Sequence, residues 1–180
     1  MRPGPDGCDA ARGTLIAVDD SGRQALPGNP IVREALRRGW IVWMVDPRGV
    51  GELRGNQDAF AFGASLLLGE NFTWRQSADI ARILHTVAGA QSRYPTRLYA
   101  RGKVMSLASM YVGATTGRND LEWVVLDHPP TNFREMPGFP LPAIPVGALA
   151  HFDIPDLAAA AKPKLLVINH PDEFLQHDWW

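Results

Sequence analysis

Residues 97–111 read RLYARGKVMSLASMY. The opening RLYA is a short strand, and from Lys103 onward Val104, Leu107, Ala108 and Tyr111 recur at helical spacing. Between them stands Gly102, the residue type with the widest backbone freedom. A strand that turns through glycine straight into a helix is the building unit of an α/β domain.

Four more apolar runs rich in β-branched residues lie outward from this unit: 14–18 (TLIAV), 40–45 (WIVWMV), 122–126 (EWVVL) and 164–168 (KLLVI). The last three are nearly continuous, the pattern of strands covered on both faces. Helical segments separate them. Asn29-Pro30 supplies a cap and a first-turn proline ahead of Ile31, Val32, Ala35 and Leu36, with Gly39 as the stop. Thr73 and Gln76 have capping-box spacing ahead of a helix that carries Ile80, Ala81, Ile83, Leu84, Val87 and Ala88, with Gly89 as its stop. A short helix over 153–161 ends at Lys162-Pro163. This alternation predicts an α/β fold: a mainly parallel five-stranded sheet with helices on both faces. Residues 1–12 read as a flexible end and 13–180 as one domain. The stretches 46–72 and 127–152 read as long irregular loops, the second containing the proline-rich PGFPLPAIPVG (137–147). Trp40, Trp43 and Trp74 are expected in core and helix–sheet contacts.

The chain has 180 residues, 46% of them hydrophobic, and a net charge of −1 from 18 basic and 19 acidic side chains. That balance argues against nucleic acid and anionic membrane as partners. No run approaches the roughly 18 apolar residues of a membrane span, and no signal core follows the first residues, so the expectation is a soluble chain without an export address. The single cysteine, Cys8, has no internal disulfide partner and no neighbour that would activate it.

Three segments together resemble the α/β-hydrolase superfamily, most closely acetyl xylan esterase and dienelactone-hydrolase-like carbohydrate esterases. They are LRRGWIVWMVDPRGVGE (36–52), LLLGENFTWRQSADIARILHTV (66–87) and HFDIPDLAAAAKPKLLVIN (151–169), and the likeness runs from Gly13 to Asp172. The resemblance implies a catalytic serine on a Gly-x-Ser-x-Gly elbow after the third strand. Here Ala100 takes the first glycine's place, Gly102 the serine's and Val104 the last glycine's. Gly102 has no side chain to attack a carbonyl. Ser106 and Ser109 lie one and two turns into the following helix and Ser65 in the first long stretch, all three expected as structural serines. Asp172, after the fifth strand, takes the position of the triad acid. The resemblance places the histidine after one further strand, so the fold is expected to be incomplete at its C-terminus. His170 and His177 are then the only late base candidates, and the terminal Trp179-Trp180 points the same way. In the oxyanion-loop position the chain carries Asp19-Asp20-Ser21-Gly22, read as a solvated turn, where carboxylates facing inward would oppose a developing anion.

Other constellations are poorer matches. His170, Asp172, His177 and Asp178 fit no zinc-ligand spacing, so no metal is expected. Gly49-Val50-Gly51 lacks the third glycine of a dinucleotide loop, which would fall at Arg54, so no cofactor is expected. Asp46, Arg48 and Gly49 read as a structural loop braced by Arg48. Two functional readings remain. One is a non-catalytic hydrolase homologue. The other is an ester hydrolase with an unconventional nucleophile, or with a site completed by a second chain or self-association at an open sheet edge. The ligand class the resemblance implies is a small ester or carbohydrate ester.

Overall fold

The computed structural model describes residues 11–55, 58–90, 94–116, 121–134, 147–161, 164–169 and 175. Five strands, β1 (Thr14–Asp19), β2 (Ile41–Met44), β3 (Thr96–Arg101), β4 (Trp123–Asp127) and β5 (Lys164–Ile168), form one sheet in the order β2-β1-β3-β4-β5. Every pairing is parallel. The helices are α1 (Pro30–Arg37), α2 (Asp58–Leu67), α3 (Phe72–Ala90), α4 (Lys103–Thr115) and α5 (Ile154–Ala160). This is the α/β architecture expected from the alternation of elements.

Two apolar layers cover the sheet. On one face α1 contributes Ile31, Val32 and Ala35 to a core with Leu15, Ala17, Tyr99 and Val125. On the other, Ile16, Val18, Leu98, Val124 and Leu126 meet Ile80 and Leu84 of α3, Met105, Leu107 and Ala108 of α4, and Leu157 of α5. Alternate strand residues serve opposite faces because the side-chain period of a strand is two. Nine consecutive residues of α4, Met105 to Gly113, are buried. That is possible because Ser106, Ala108, Ser109 and Gly113 are small enough for sheet and helices to close on every side.

Several local readings change. Continuous apolar runs suggested that strands two, four and five are covered on both faces, but β2 and β5 are the sheet edges, with Trp43 44% and Val167 55% exposed. The strands buried at nearly every position are β1, β3 and β4. Asn29 caps α1 as expected, its side chain accepting the Ile31 and Val32 amides, but Leu36 points to solvent. The start of α3 is capped by Asn71, whose Oδ1 accepts the Trp74 amide at 3.1 Å. Thr73 is inside the helix, fully buried, and Gln76 turns to donate to the Arg48 carbonyl at 3.0 Å, so their spacing is not a capping box. The helix also runs through Gly89 to Ala90. The 46–72 stretch is not irregular throughout. It contains α2, whose sequence (DAFAFGASLL) is apolar almost throughout and so carries no one-sided periodic signal. A capping box does occur at α5, between Asp153 and Asp156.

Candidate functional site

In a parallel sheet the crevice at the carboxyl ends of the strands, where strand order reverses, is where ligands bind. Here that point lies between β1 and β3. The last residues of three adjacent strands stand in register: Asp19 beside Arg101, and Arg101 beside Asp127. The guanidinium bridges both carboxylates, with Nη1 3.6 Å from Asp19 Oδ2 and Nε 3.9 Å from Asp127 Oδ2. Both aspartates are almost wholly buried, while Arg101 is half exposed. Asp19 Oδ1 accepts the Ser21 amide at 2.7 Å, and among the described residues its Oδ2 has no hydrogen-bond donor.

Beneath this row Tyr99 donates to Asp127 Oδ2 at 2.6 Å and accepts from Asn29 Nδ2 at 2.8 Å. Burial and the neighbouring Asp127 carboxylate push the phenol well above its usual range, so it keeps the proton it donates to Asp127. Beyond the row His128 adopts a left-handed conformation, φ +58°, and sets its Nδ1 against Asp127 Oδ1. Its side chain is 64% exposed.

The turn into α4 is decided by two residues. Gly102 has φ +91° and ψ 169°, a region that is essentially glycine-only. A Cβ built there would overlap the Asp20 carboxylate, with the Asp20 Cβ itself only 2.8 Å away. Asp20 turns inward and caps α4: Oδ1 accepts the Met105 amide at 2.7 Å and Oδ2 the Val104 amide at 3.2 Å. The helix end is a natural anion site, and an internal carboxylate fills it. Burial raises the Asp20 pKa despite those amide bonds. The expectation of a solvated turn at 19–22 is therefore corrected: Asp19 and Gly22 are buried and Asp20 is docked, leaving Ser21 as the exposed residue.

The loop after β2 follows the same logic. Asp46 accepts the Arg23 amide at 2.6 Å and the Glu52 amide at 3.1 Å. Gly51, with φ +53°, lies so close that any side chain there would enter the Asp46 carboxylate. The Gly49–Gly51 motif thus cradles an internal aspartate, and α2 begins only at Asp58. Arg48 holds Asp79 of α3 by two parallel bonds of 2.7 Å. Burial alone would raise the Asp79 pKa, but the Arg48 bonds outweigh it and hold the carboxyl below its usual value.

Ser106 and Ser109 are fully buried in α4, Ser106 lying 3.4 Å from the Ala100 carbonyl, and Ser65 is buried in α2. None stands at the turn. Asp172, His170, His177 and Asp178 lie outside the described residues, as do Cys8, Trp179 and Trp180. Among the described residues no group of three or more His, Cys, Asp or Glu side chains is arranged to hold a metal, and no helix is long and apolar enough to cross a membrane. Sequence reading passed over Asp127-His128, although an acid and an imidazole directly after a parallel strand are a signal in their own right. It also placed Trp43 and Trp74 in the interior, whereas both are about half exposed. No known protein family, curated protein or solved structure matches the chain.

Proposed function

We propose that this chain is a non-catalytic α/β-hydrolase-like domain, a structural or binding module related to ester-cleaving enzymes of the carbohydrate-esterase kind. The observation that carries this reading is Asp20 seated over Gly102. The turn offers no nucleophile, no space for one, and the Val104 and Met105 amides at the helix end already serve a fixed carboxylate. An ester's developing oxyanion would meet negative charge there instead of free donors. The strand order and the glycine turn after β3 are compatible with the hydrolase-like arrangement.

Loss of a triad nucleophile removes about a million-fold in rate. Hydrolysis of p-nitrophenyl acetate is therefore expected to match a heat-denatured blank, and a fluorophosphonate is expected to label no serine. Stoichiometric labelling of one serine would overturn the reading.

One observation favours a second reading, an ester hydrolase whose site is completed by another chain. Asp127 orients His128 as a general base would be oriented, with the imidazole largely open to solvent. Among the described residues no strand pairs with the outer edge of β5, and there such a chain, or a second copy, would add. Esterase activity that rises with the square of protein concentration and disappears in His128→Ala would support it.

A further inference from the structure

Tyr111 lies nine residues beyond Gly102 on α4, about 13 Å along the helix axis, so its surroundings are separate from the strand ends. It is 4% exposed, and among the described residues its hydroxyl makes no hydrogen bond. Burial pushes its pKa up to about 12, so the group is a neutral O–H near neutral pH. Three other rings surround or support it. Trp74 meets the Tyr111 ring at 5.5 Å and 67°, Phe152 meets it at 6.2 Å and 89°, and Phe133 backs Phe152 at 6.1 Å and 69°. These edge-to-face contacts hold the rings as fixed walls.

The walls line an open cavity of about 560 Å³, bounded by Trp74, Tyr111, His151 and Phe152 and given its room by the small Ala78 and Ala148. That volume is in the range of small-molecule sites. Glu70 and Arg75 at its rim are paired with each other, so no unpaired charge from them faces a ligand. Asn71 is committed to capping α3. What the cavity offers is mainly aromatic surface, with the Tyr111 hydroxyl and the exposed His151 imidazole as polar groups.

We infer that this cavity binds a neutral planar aromatic molecule carrying one hydroxyl or carbonyl oxygen, its ring against Trp74 and Phe152 and its oxygen on the Tyr111 hydroxyl. A polyhydroxylated sugar would bring more polar groups than the walls can satisfy, and each unmatched one carries a desolvation cost. An anion would meet an Arg75 already paired with Glu70. The inference does not rest on the hydrolase-like reading, since neither Asp20 nor Gly102 lines the cavity.

Isothermal titration with 2-naphthol, against 2-naphthoate and methyl β-glucoside, tests it. Saturable one-to-one binding of 2-naphthol is expected, with both comparison compounds at least tenfold weaker. Tyr111→Phe keeps the ring walls and removes only the hydroxyl. It should weaken binding roughly three- to tenfold, the range of one hydrogen bond. Trp74→Ala, at a half-exposed position, should weaken it at least fivefold. Absence of saturation up to the solubility limit of 2-naphthol would overturn the inference. So would affinity unchanged in both variants, or equal or tighter binding of the glucoside or the naphthoate.

Discussion

Asp20 lies directly over Gly102, and each explains the other. The aspartate reaches the Met105 amide at 2.7 Å only because position 102 has no Cβ. The glycine holds φ +91° because the strand must turn into the helix beneath that carboxylate. One cap closes the place where, under the proposed hydrolase-like reading, a reacting oxygen would stand.

Introducing a serine there should therefore create no esterase. Gly102→Ser combines a glycine-only backbone with overlap on Asp20, and a loss of about 1–3 kcal/mol in urea unfolding is expected from the backbone alone. Ester hydrolysis should stay at background. The Asp20→Ala/Gly102→Ser double variant relieves the overlap, so its loss should be smaller than the sum of the two single losses by at least about 0.5 kcal/mol.

Asp20 also predicts a pH signature. Burial raises its folded-state pKa above 3.8, so the fold favours the protonated acid. The stability from this group is fully present below pH 3.8 and is lost as pH rises through the folded value. Asp20→Asn cannot ionise. Its stability relative to wild type should thus climb between pH 3.5 and pH 6.5, read by urea midpoints at the two values. A constant difference would show that the carboxylate ionises at no cost.

The Arg48–Asp79 pair should behave in the opposite sense. Arg48 holds the Asp79 pKa below 3.8, so this contribution is present above pH 3.8 and lost as pH falls through the lower folded value. Asp79→Asn should cost up to about 1 kcal/mol at pH 6.5, a modest figure because Arg48 is partly solvated. The difference in melting temperature from wild type should shrink towards pH 2.5.

Tyr99 links α1 to β4 through Asn29 and Asp127, all three buried. Tyr99→Phe keeps the ring and strands both partners. About 1–3 kcal/mol should be lost in chemical denaturation, the cost of unsatisfied buried polar groups. Asn29→Ala removes the cap of α1 as well and should cost at least as much.

Much of this arrangement can be read along the chain. The five strand segments lie where apolar β-branched runs lie, and Asn29-Pro30 marks the start of α1, because strand pattern and caps are local properties. Long-range pairing is not local. Asp19, Arg101 and Asp127 are scattered over more than a hundred residues and meet only through parallel register. Gln76 and Thr73 have the spacing of a cap, yet Asn71 performs it because Gln76 finds the Arg48 carbonyl instead.

The sequence by itself determined the α/β class, the glycine at the turn after β3 and the absence of a serine there, since these depend on residue identity and short-range periodicity. Only the tertiary structure decided that Asp20 turns inward, that Arg101 bridges two buried carboxylates and that Trp74 walls a cavity instead of joining the core. The reason is physical: where a charge or a ring ends up is set by whatever the folded chain brings within a few ångströms of it, and neighbours in space need not be neighbours in sequence.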